Sequence, residues 1–190
     1  MTARAAPIAA LAVVTAGLAW VLFIGLPRWY GQPAPASLGG PERPTSDEPG
    51  RKIKARLFYV AESGTALTSV EHDVPFGEGA IAQAKEILNA QLSPPAEPLV
   101  SAVPPGTTLR ALFITAKGEA FVDFSLELAR AHPGGSLNEM LTVYTLVDVL
   151  TVNLPAVSAV QLLIDGKEVE TLAGHVDLRR PLVQDLTWVQ

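Results

Sequence analysis

The chain has 190 residues, no cysteine, and 14 Lys and Arg against 19 Asp and Glu, for a formal net charge of -5. These residues offer no disulfide framework, no thiolate metal site and no cysteine for lipid attachment. The acidic balance, without a basic stripe, excludes nucleic acid, whose binding needs clustered Lys and Arg to displace counterions.

Hydrophobic residues make up 48% of the chain, and the excess is concentrated near the start. From Ile8 to Leu26 the run IAALAVVTAGLAWVLFIGL carries no charge, long enough as a helix to cross roughly 30 Å of hydrocarbon. Trp29 and Tyr30 follow at interfacial depth. A cleaved signal peptide is the competing reading, with Arg4 as its positive region and Ala34-Pro35-Ala36 as a small-x-small site. The apolar run exceeds the roughly 7 to 15 residues of such a segment, however, and Pro27 to Tyr30 separate it from that site. Residues 1–30 are therefore read as an uncleaved membrane anchor, N-terminus in the cytoplasm and the rest outside. If the segment is cleaved, the product is secreted. Residues 31–50, dense in Pro, Gly, Ser and charge, read as a linker unable to bury enough surface to fold.

Alternation of Ile53, Ala55, Leu57 and Tyr59 with Lys54, Arg56 and Phe58 predicts a half-buried strand. Glu62-Ser63-Gly64 turns the chain into a second strand from Leu67 to Val74, giving a hairpin. Gly79 to Leu92 has helical spacing, with Ile81, Ala84, Leu88 and Leu92 on one face, and Ser93-Pro94-Pro95 stops it. After a rigid loop through Pro105, Thr108 to Thr115 and Glu119 to Ser125 read as strands of a second hairpin across Ala116-Lys117-Gly118.

Ser136 and Glu139 have capping-box spacing, in which serine oxygen and carboxylate each satisfy an orphan backbone N–H at a helix start. The helix should run from Leu137 to about Val152 and be the most buried, since few of its positions are polar. Pro155 ends it. Ser158 to Ile164 follows as a strand, and Asp165-Gly166 closes a tight turn, which needs positive φ at both positions, into Lys167 to Leu172. Together these predict an α+β fold: a two-layer sandwich of a mainly antiparallel sheet and two main helices, preceded by a transmembrane helix. The domain is expected to occupy 51–182 and a tail 183–190.

Three constellations invite chemistry. His175 and Asp177, with His72 or Asp73, suggest a metal site; without HExxH-type spacing the simpler reading is a bend at Gly174-His175, with Asp177 capping the chain's exit. Asp123 and Ser125 suggest a nucleophile and a carboxylate, but His132, a loop residue beside Pro133, is no evident base. The structural reading turns Val122 and Phe124 inward and Asp123 and Ser125 outward, with Ser125 capping a short turn through Leu126 to Ala129. Gly134-Gly135-Ser136 at a helix start suggests anion binding, against glycines that simply permit the turn. No catalytic, cofactor or metal residue is assigned. Ser136, Glu139, Gly134, Gly135, Asp165, Gly166 and Gly174 are structural.

Five ordered blocks now stand out: LFYV at Leu57 to Val60, VPPGT at Val103 to Thr107, FVDFS at Phe121 to Ser125, HPGGS at His132 to Ser136, and LLIDGKEVETLAGHVDL at Leu162 to Leu178. Together, over about Lys52 to Leu182, they resemble the GerMN domain, the sporulation and spore germination family of bacterial envelope proteins. The resemblance implies a non-enzymatic extracytoplasmic domain, tethered by a lipid or a helix, that contacts other envelope proteins and brings no catalytic residues. Lacking cysteine, this chain would use its helix. Sporulation itself does not follow, since the domain also occurs in bacteria that form no spores. The expected partners are other envelope proteins or a second copy, met at exposed sheet edges. A peptidoglycan-binding module, using the loop from Ser93 to Thr107 and the Gly134-Gly135 helix start, is the alternative, and an envelope hydrolase ranks last.

Overall fold

A computed structural model describes residues 50–190. The anchor and almost all of the linker expected for residues 1–50 lie outside the described residues. β1 (Lys52–Val60) and β2 (Leu67–Pro75) form a two-stranded antiparallel sheet in register from Val60 opposite Leu67 to Lys52 opposite Pro75. Ala55, Leu57 and Tyr59 are buried as the alternation requires, but Phe58, pointing to the other face, is buried as well.

Helix α1 (Gly79–Leu92) buries Gln83, Ala84, Ile87, Leu88 and Gln91, whereas Ile81 is 40% exposed. Its inward face is thus rotated from the expected one, because both glutamines turn inward to satisfy backbone groups. Gln83 accepts from the Gly77 N–H at 2.9 Å and donates to the Pro75 carbonyl at 3.1 Å.

β3 (Leu109–Ile114) and β4 (Glu119–Phe124) pair antiparallel as expected of a hairpin. A short helix α2 (Glu127–Arg130) and the long helix α3 (Ser136–Asn153) then carry the chain to β5 (Ala159–Ile164), which lies parallel to β4. A parallel pair needs a crossover of this length. The two-residue strands β6 (Lys167–Glu168) and β7 (Leu182–Val183) both add antiparallel to β5.

Over the described residues the fold is therefore α+β with three helices and two sheets, one of them mixed with the order β3-β4-β5-β6. Strand pairing is mainly antiparallel, as expected, but β4 and β5 run parallel and the strands divide between two sheets. α3 packs against both β1 and β5, and from Leu141 to Leu150 only Tyr144 is not buried. A helix covered nearly all round reads as apolar nearly all round, and this one does.

Residues 183–190 are no loose tail. Val183 belongs to β7, a 3-10 turn runs over Leu186–Trp188, Val189 bridges Leu67 in parallel, and the Gln190 N–H donates to the Leu67 carbonyl at 2.9 Å. The segment thereby pairs with a strand of each sheet.

Candidate functional site

The Ser136 and Glu139 pair does not form the expected capping box. The N-cap is Gly135 at φ 85°, which favours glycine, no side chain caps the helix, and Ser136 is its first residue. Glu139 is fully buried and its carboxylate leaves its own helix end. It accepts the backbone N–H groups of Leu172 (2.8 Å), Ala173 (2.9 Å) and His175 (2.8 Å). The exposed His175 ring lies 3.1 Å away through Nδ1. Burial pushes this carboxyl up, but the backbone N–H donors from Ala173, His175 and Leu172 outweigh it and hold it below its usual range. The strand expected from Lys167 to Leu172 stops at Glu168; Ala159 and Val160 of β5 pair with β7 instead, and the chain beyond β6 bends, through Gly174 at φ 95°, around this carboxylate.

The Glu139 carboxylate thus turns from the helix start, where an external anion was the alternative, to the loop. At that helix start Gly134 donates its N–H to His132 Nδ1 at 3.0 Å. The ring proton must then sit on Nε2, directed at Thr142 Oγ1 (3.2 Å), whose hydroxyl donates to the Ala102 carbonyl at 2.6 Å. His132 is thus a tie between the Gly134 turn, α3 and the loop before β3.

Asp123 is buried, not outward. It accepts from the Gly166 N–H at 2.7 Å and lies 3.4 Å from Arg110 Nε, and Arg110 also pairs with Asp165. Asp165 (φ 54°) and Gly166 (φ 77°) both take the positive φ of a tight hairpin turn, so Asp123 braces that turn from the neighbouring strand. Ser125 does not cap α2 with its side chain; Oγ accepts from the Thr108 N–H at 3.1 Å.

Three of the four suggested metal ligands are held elsewhere, and His72 is exposed on β2. His175 stands by Glu139, Asp177 is forked by Arg179 through Nε and Nη2, both at 2.8 Å, and Asp73 on β2 pairs with Lys54 at 2.7 Å. Among the described residues no three His, Asp or Glu side chains converge.

The sheet edges differ sharply. Arg56 and Phe58 turn their backbone groups away from β2, and two side-chain amides close on them: Asn153 on Arg56 (2.8 Å to both N and O) and Gln91 on Phe58 (2.9 and 2.7 Å). Val60 completes the seal by donating to the Val100 carbonyl at 2.8 Å. β2 carries Glu71, His72 and Asp73, all exposed, a charged edge that discourages pairing. β3 has no such amide seal, and its guards, exposed Arg110 and a register shift between Leu109 and Ala111, lie at its first residues. It ends the mixed sheet with no strand beyond it among the described residues. Phe113 stands 60% exposed beside Phe121 on one face. An open groove of about 640 Å³, walled by Glu78, Ala80, Ile81, Ile114, Gly118 and Ala156, lies alongside.

The family model Germane, described as sporulation and spore germination, matches residues 56–170. The chain belongs to the Germane family. Solved structures with the same fold include the tandem GerMN domains of the sporulation protein GerM from Bacillus subtilis (20% identity, TM-score 0.52, covering 72% of this chain and 46% of that one). The first GerMN domain of that protein matches with 20% identity and TM-score 0.50 over 69% of this chain and 97% of that one. A Clostridium perfringens protein provisionally classed as a lipoprotein matches with 19% identity and TM-score 0.50 over 72% and 90%. At such identities the likeness is one of fold. No curated protein matches the chain.

The Germane match ends at residue 170, so the loop that closes on Glu139 and segment 182–190 both lie beyond it. Three residues that build this Germane domain escaped sequence reasoning. Gln91 and Asn153 grip β1 from positions 33 and 97 residues distant, which no local pattern signals. Asp148 did leave a signal, as a lone acid in the apolar run TLVDVL. It is fully buried; Oδ1 accepts from the Asp185 N–H at 3.0 Å and Oδ2 has no partner among the described residues. Burial raises its pKa to about 6, the Asp185 N–H working against that and the Asp185 charge adding to it.

Proposed function

We propose that this chain is a membrane-held Germane protein whose domain sits outside the cytoplasm as a non-catalytic docking module of the bacterial cell envelope. Residues 1–30 would be the anchor, Ile8 to Leu26 its spanning part, and 31–50 the linker. The uncharged run supports this, as does a neighbour in fold classed as a lipoprotein.

The observation that carries the docking reading is the β3 edge, which ends the mixed sheet among the described residues, with exposed Phe113 and the adjoining groove. A partner suited to it is an extended segment of another envelope protein, adding a strand to β3. Its side chains would alternate between the groove at Ile81 and Ile114 and the other face over Phe113 and Phe121. The polar side chains support a non-enzymatic role, since Asp123, Glu139 and Ser125 all bind backbone N–H groups. A glycan surface is less well supported: Trp188 packs against the core instead of offering a free ring.

Phe113→Lys in the full chain should lower capture of the partner by roughly tenfold or more, as loss of an aromatic anchor does, while leaving the thermal transition in place. Photo-crosslinkers at Phe113 and at Glu71 identify the edge in cells. Undiminished capture by the variant, or crosslinks at Glu71 and none at Phe113, would sink this assignment.

A further inference from the structure

Segment 182–190 is the element that pairs with both sheets, through β7 on β5 and through Val189 and Gln190 on Leu67. Between those contacts its backbone is held to α3 by one bond, from the Asp185 N–H to Asp148. The anchor is an unusual one. Among the described residues Asp148 Oδ2 is buried and unpartnered, as is Thr145 Oγ1 one turn earlier on the same helix.

A carboxylate so placed has little to support a negative charge. The charged group facing it is Asp185, from the segment, and on its own helix Tyr144 lies within electrostatic reach of both acids, its hydroxyl pushed up by burial first and then by them. None of the ion pairs among the described residues includes Asp148. Asp185 itself is committed to its charged form, since its carboxylate accepts from Thr187 Oγ1 (2.6 Å) and N (3.1 Å) and is held below its usual range by them. When Asp148 loses its proton, a second negative charge appears next to the first, with no cation paired to it among the described residues.

We propose that segment 182–190 is a proton-controlled latch, closed firmly when Asp148 is protonated and loosened when it ionises beside Asp185. Opening would free the outward backbone of Leu67, lengthening the β2 edge, and expose Thr145. The closed state holds the proton up to about pH 6, whereas a solvated aspartate releases it near pH 4. The ratio of closed to open therefore falls as pH rises between those values and is level above them. Two pH units of separation correspond to at most about a hundredfold change.

Amide exchange of the full chain, corrected for intrinsic rates, reads the latch at the Asp185 and Gln190 N–H groups. Protection there should fall by tens of times from pH 4 to pH 7, while the β1–β2 ladder stays protected. In Asp148→Asn the pH dependence should disappear. The same dependence in the variant, or none in the parent, overturns the proposal. Should Asp148→Asn fail to fold, the carboxyl carbon resonance of Asp148 in the parent decides: an inflection near pH 6 supports the latch, and one in the ordinary aspartate range overturns it.

Discussion

Glu139 shows how one side chain can fix a loop far away in sequence. Its carboxylate gathers three backbone N–H groups of the loop beyond β6. Hydrogen bonds to a charged acceptor contribute more than neutral ones, so Glu139→Gln should cost about 1–3 kcal/mol, measurable by urea unfolding, with lost exchange protection at Leu172, Ala173 and His175. Its folded pKa lies below the unfolded one, so its contribution is present above the unfolded pKa and is lost as pH falls through the folded value. Sequence showed Ser136 and Glu139 at capping-box spacing but not where Glu139 points, because its donors lie in a loop more than thirty residues on. The same blindness turned Asp123 outward in expectation; strand alternation is silent about a turn on the neighbouring strand that needs a buried acceptor.

At the level of elements, legibility followed locality. β1, β2, α1 and the β3–β4 hairpin lie within a residue or so of where periodicity and turn chemistry put them, since those signals come from neighbouring residues. The inward face of α1 was misjudged because hydropathy counts Gln83 and Gln91 as polar and ignores that each satisfies backbone. Gln91 is the sharper case: it replaces the missing neighbour of β1 at Phe58. Gln91→Leu, near-isosteric but unable to bond, should strand a buried N–H and carbonyl and cost about 1–3 kcal/mol or more. Chemical denaturation checks the size, and weaker exchange protection confined to Phe58 and its neighbours checks the cause.

For the molecule as a whole, α3 is the shared core, touching a strand of each sheet. Leu146 is fully buried in it, so Leu146→Ala should lower stability by about 2–5 kcal/mol. Both sheets should melt in one transition, tested by following exchange at β1–β2 and β4–β5 in parallel with far-UV circular dichroism. Two separate transitions would mean that the sheets are independent. The split into two sheets was the part of the architecture hidden from sequence. A strand pattern records which residues are half-buried, and nothing in it distinguishes a parallel partner from an antiparallel one.

The parallel pairing of β4 with β5 also bears on how the chain reaches its native state. Hairpins such as β1–β2 close over a few residues and form early at small entropic cost. β4 and β5 meet only after α2, α3 and their loops have been laid between them, so this contact must wait for the largest loop closure in the mixed sheet. Until it forms, α3 has no β5 to cover its apolar surface. If docking of that helix on β5 limits folding, substitutions along the buried part of α3 should slow refolding in stopped-flow measurements instead of merely speeding unfolding.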